Sequence, residues 1–91
     1  MGKVIISFRV FPEDVESNLE NIVEKIKIII EEFGGKYLEH KFTPIAFGLK
    51  ALDIKFVYPD KEFKEEEFIE KVKNIEGVSD VSIENVTLSS F

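Results

Sequence analysis

Apolar residues recur along this chain with two different periods. From Lys3 to Phe11 the period is two: Val4, Ile6, Phe8 and Val10 share one parity, with Ser7 and Arg9 on the other. Alternation rich in β-branched and aromatic residues predicts a half-buried strand. Pro12 ends it, because proline cannot donate to a continuing ladder. From Glu13 to Phe33 the period lengthens. Val15, Leu19, Ile22, Val23, Ile26, Ile29, Ile30 and Phe33 follow steps of three and four, which puts them on one stripe of a long helix. Glu13, Asp14 and Glu16 suit the positive end of the helix dipole, Asp14 and Ser17 are the candidate caps, and Gly34-Gly35 supplies the left-handed backbone that closes a helix.

The period-two pattern then returns. Lys36 to Phe42 reads as a second strand, with Leu38, His40 and Phe42 opposite in parity to Tyr37, Glu39 and Lys41. Leu49 to Tyr58 reads as a third, with Leu52, Ile54, Phe56 and Tyr58 on one face and Ala51, Asp53 and Lys55 turned outward. Pro59-Asp60 is a turn signal. Glu62 to Ile75 is a second helix with Phe68, Ile69, Val72 and Ile75 as its stripe, ended by Gly77. Val78 to Leu88 is the last strand. Its apolar parity changes between Ile83 and Val86, which predicts a bulge near Glu84-Asn85. The order β-α-β-β-α-β predicts an α+β ferredoxin-like sandwich: a four-stranded antiparallel sheet with two helices on one face and the other face open. With 91 residues, the expectation is one domain spanning 1–91.

One stretch departs from this patterning. Thr43-Pro44-Ile45-Ala46-Phe47-Gly48-Leu49 carries no charge, in a chain where charged residues make up 33%. It lies between two strands, where connections are normally polar. Such a segment is either a loop folded back onto its own core or an exposed apolar patch of the kind that marks a binding surface.

Composition narrows the chemistry. There is no cysteine, so disulfides, thiolate metal sites and cysteine nucleophiles are excluded. The one histidine, His40, has no second ligand or nucleophile beside it in the sequence and reads as a structural or edge residue. No G-x-x-x-x-G-K motif is present to cradle a nucleotide's phosphates. A formal net charge of −6 opposes binding to a phosphate backbone and favours a basic protein partner. Arg9, the single arginine, lies inside a strand rather than in a phosphate-binding loop. No apolar run is long enough for a membrane span and the start lacks a signal-peptide pattern, so the expected location is cytoplasmic, with no cofactor and no direct contact with nucleic acid or membrane.

The run Thr43-Pro44-Ile45-Ala46-Phe47-Gly48-Leu49-Lys50-Ala51-Leu52 resembles the signature of the translation elongation factor 1-beta family, P-[IV]-[AG]-[FY]-G-[ILV]-K-x-L, which joins two strands. The likeness extends to the opening strand, the acidic helix start after Pro12 and the Ile75-Glu76-Gly77-Val78 turn, and the length matches the short archaeal form. The resemblance implies a guanine-nucleotide exchange factor for the GTPase elongation factor 1-alpha, acting without bond chemistry. It implies a partner-binding segment made of Pro44, Ile45, Ala46, Phe47, Gly48, Leu49 and Lys50, with the Phe47 ring as the anchor that enters an apolar pocket. The eukaryotic members also use a penultimate Lys; from Asn85 to Phe91 this chain has no basic residue, and that role is not carried over. The alternative from a different class is a small regulatory or ligand-binding domain that assembles through its open sheet face.

Overall fold

The computed structural model describes residues 2–59 and 63–89. Its elements run β1 (Lys3–Pro12), α1 (Leu19–Glu32), β2 (Lys36–Pro44), β3 (Lys50–Pro59), α2 (Glu65–Lys73) and β4 (Val78–Ser89). The four strands form one antiparallel sheet in the order β2-β3-β1-β4, as the ferredoxin-like arrangement requires. Residues opposite one another in such a sheet share a face. Ile6, Phe8 and Val10 on β1 therefore stand beside Phe56, Ile54 and Leu52 on β3, and all six are buried beneath the helices. The helices add Ile22, Val23, Ile26 and Ile30 from α1 and Phe68 and Val72 from α2. At the centre, the rings of Phe8, Phe56 and Phe68 lie 5.2–5.8 Å apart, two of the three contacts edge-on.

The end of α1 follows from backbone bonding. Gly34, with φ 91°, donates to the Glu31 carbonyl, and Gly35 donates to Ile30 at 2.9 Å, the paired closure of a Schellman motif. Gly35 also lies where nothing larger fits: a Cβ there would sit 2.9 Å from Phe56 Cδ2 and 3.1 Å from Ile30 Cγ2.

Several boundaries differ from the sequence pattern, each for a local reason. The long helix begins at Leu19 rather than Glu13, and its cap is Asn18, whose side chain accepts from the Asn21 backbone N–H. The expected caps, Asp14 and Ser17, instead shape the turn before it. The Asp14 carboxylate accepts from the Glu16 N–H at 2.8 Å, and Ser17 donates to the Gly77 carbonyl. Glu13 N–H also donates to Gly77, so residues 13–18 are laced to the α2–β4 corner and cannot wind into helix. Along β2 a register shift between Tyr37 and Glu39 turns Tyr37, rather than Leu38, toward the core beside Phe56. The second helix starts at Glu65; Asp60 and Glu62, read from sequence as part of the turn and as the helix start, lie outside the described residues. Ala51 stands on the open face, opposite Thr43, as its parity predicts, but is fully covered there. The bulge expected near Glu84-Asn85 is present, as Ser7 pairs with Asn85 and the next residue, Phe8, with Ile83.

Candidate functional site

β2 runs two residues past its sequence pattern and β3 begins one residue inside its own, at a Pro44–Lys50 pair, which leaves a five-residue connection over 45–49. Pro44 is tolerated there because β2 is an edge strand. Two backbone bonds of 2.9 Å close the hairpin, Ile45 N–H to the Leu49 carbonyl and Leu49 N–H to the Ala46 carbonyl. The two residues inside the inner turn, Phe47 (φ 53°) and Gly48 (φ 78°), both lie in the left-handed region, the dihedral pattern of a tight hairpin turn. That geometry throws the Phe47 ring outward, and the residue is 97% exposed. Pro44, Ile45, Ala46 and Lys50 are exposed with it, and Leu49 is half-buried. The segment is not folded back onto the core. All seven residues singled out in the sequence thus sit on one hairpin tip, presenting an apolar surface to solvent.

A polar network braces the base of this hairpin from the open face. Arg9 donates to Asp53 from Nε at 2.7 Å and from Nη2 at 3.1 Å, and the Thr43 hydroxyl donates to the same carboxylate at 2.6 Å. The hydrogen bonds from Arg9 hold the Asp53 carboxyl below the usual carboxylate range; partial burial opposes them and the Thr43 hydroxyl assists. The same bonds to Asp53 raise the Arg9 guanidinium. Arg9 is thereby committed to a neighbouring carboxylate. Glu39 and Lys55 pair at 3.7 Å further along the same face. Charged side chains of this kind are depleted at the buried centre of protein interfaces.

Two further apolar residues join the hairpin's surroundings. Val15, read as part of the helical stripe, is 62% exposed, and its Cγ1 lies 3.5 Å from where a Cβ of Gly48 would stand. Phe42 is exposed on β2 at the same end of the sheet. The signal that separates Val15 from the helix is the cluster Asp14, Ser17 and Asn18, three residues that favour turns and caps over helix interiors. His40 lies on the edge strand between Tyr37, whose hydroxyl meets its Nδ1, and Phe42. Among the described residues no group of three His, Cys, Asp or Glu side chains is placed to hold a metal ion.

At the far end of the sheet, Val86 and Leu88 are exposed on β4. Ser90 and Phe91 lie outside the described residues.

Comparison with known proteins supplies the family. Residues 5–88 match the EF-1 guanine nucleotide exchange domain. The chain belongs to that family. Relatives named elongation factor 1-beta include one from Archaeoglobus fulgidus, 43% identical over 97% of this chain and 99% of its own length. Another, from Ignicoccus hospitalis, is 40% identical over all of this chain and 97% of its own. The Nanoarchaeum equitans protein is 41% identical over 82% of this chain and 91% of its own. Membership makes this chain a guanine-nucleotide exchange factor of translation elongation. No helix among the described residues is long and apolar enough to cross a membrane.

Proposed function

We propose that this chain acts as one unit, residues 1–91, that accelerates GDP release from elongation factor 1-alpha, with the 44–50 hairpin as its docking element. The observation that carries this reading is the Phe47 ring, almost wholly in solvent at the tip of a hydrogen-bonded turn. An exposed phenyl group does nothing for the fold. Transferred into an apolar pocket it releases about 2 kcal/mol from its buried area alone.

Exchange needs no bond to be made or broken. A GTPase holds GDP through phosphate-loop amides, a Lys and Mg²⁺. A partner that binds the empty GTPase more tightly than the loaded one lowers nucleotide affinity by the same factor, because the coupling between two ligands is reciprocal. The hairpin supplies the binding energy and the brace of Arg9, Asp53 and Thr43 supplies rigidity, so little ordering entropy is lost on docking. The net charge of −6 favours a basic surface on the GTPase and disfavours direct contact with its RNA cargo.

The test is release of fluorescent GDP from elongation factor 1-alpha at catalytic amounts of this protein. Phe47→Ala is expected to weaken the complex by about 2 kcal/mol, roughly thirtyfold in affinity, and to slow exchange while the melting midpoint does not fall. An unaltered exchange rate in that variant would remove the hairpin from the mechanism.

A further inference from the structure

Beside the hairpin is a groove of about 410 Å³, whose lining includes Pro12, Val15, Leu19, Phe42, Gly48 and Lys50. Ser17 and Asn18 line it too, so apolar and polar residues share it about evenly. Gly48 belongs to both the groove and the hairpin tip, and Val15 packs against the Gly48 position, so the groove wall is continuous with the surface that presents Phe47. Its rim is acidic. Asp14 and Glu20 line it, with Glu13, Glu16 and Glu76 around the adjoining depression, and Lys50 is the one cation among the described residues lining the groove. Val15 has no folding role in proportion to its size, since it is mostly in solvent and the helix begins after it.

We infer that this groove is a second docking surface for the same GTPase, taking an apolar side chain carried on a Lys- or Arg-containing stretch of that partner. The inference rests on the exchange reading above and adds to it a contact outside the 44–50 segment. Continuity with the Phe47 surface means that a partner seated on the hairpin is already beside the groove. The carboxylate rim selects a basic stretch, and it does so mainly through the association step, where complementary charge steers the encounter. The turn over 13–18 is tied through Glu13 and Ser17 to Gly77, so Val15 is presented on a fixed rather than a loose loop.

The experiment measures exchange at varied concentrations of GDP-loaded elongation factor 1-alpha, across a range of salt. Three variants of the full chain are compared with the wild type: Val15→Ser, the double change Glu13→Lys with Glu16→Lys, and Phe47→Ala. Val15→Ser is expected to raise KM about fivefold with kcat within about twofold, the ordinary effect of removing an apolar contact at an interface. The charge reversal is expected to raise KM at low salt and to flatten its salt dependence. Both changes fall on exposed side chains, and thermal melts show whether the fold survives them. Wild-type KM in both groove variants, with Phe47→Ala impaired, overturns the groove while the hairpin stands. A raised KM in Val15→Ser with unchanged salt behaviour in the charge variant supports the apolar contact and overturns the basic flank. Wild-type behaviour in all three, Phe47→Ala included, overturns the exchange reading of this end of the molecule as well.

Discussion

Asp53 concentrates more of the open face's polar interactions than any other described side chain. It receives both arms of the Arg9 guanidinium and the Thr43 hydroxyl, and the result is a carboxyl that ionises more readily in the folded state than in the unfolded chain. The sign of its pH effect follows. A depressed folded value means stabilisation that is complete above the unfolded value, about pH 4, and is lost as pH falls through the folded one. Asp53→Asn is therefore expected to melt below the wild type at pH 7, with the gap narrowing as pH falls below about 4. A gap that persists unchanged at low pH would show that ionisation is not its source. In the sequence, the outward parity of Arg9 and of Asp53 was legible. Their pairing was not, since it needs the register that sets Arg9 opposite Asp53 across two strands 44 residues apart. Phe47 was legible for the opposite reason: it breaks a rule of local composition, and no tertiary knowledge is needed to see that.

Among the elements, the strands that alternate strictly, β1 and β3, fell where their patterns put them to within a residue or two. β2 did not keep its parity, because one irregularity between Tyr37 and Glu39 flips every side chain before it. The bulge in β4 was visible because it interrupts an apolar alternation. That in β2 was hidden because Tyr37 and Leu38 are both apolar and either can face a core. The start of α1 was misplaced because Val15 continues the helical spacing by coincidence, while the decisive interaction, Glu13 to Gly77, joins positions far apart in the chain. The cap can be tested directly. Asn18→Ala is expected to cost about 1 kcal/mol, a fall of roughly 4–8 °C in melting midpoint for a domain of this size. The corresponding change at Ser17, whose hydroxyl donates to a carbonyl rather than capping the helix, separates the two roles.

For the whole molecule, element order with right-handed crossovers was enough to anticipate the sheet order and the single covered face. What the sequence could not supply was the gathering of two separate loops, 13–18 and 45–49, at one end of an elongated domain 43 Å in its longest extent. The backbone at Phe47 has a consequence for stability as a whole. Left-handed φ costs an ordinary L-residue about 1–2 kcal/mol, and an aromatic side chain earns nothing back while it stands in water. Asn adopts that conformation readily, and Asn followed by Gly is a favoured pair for a tight hairpin turn. Phe47→Asn is thus expected to raise the melting midpoint by several degrees while sacrificing exchange. A melting midpoint equal to or below the wild type's would contradict it. On this account the domain is held short of its attainable stability at one residue, and the shortfall measures what selection has conceded there to keep a partner's pocket filled.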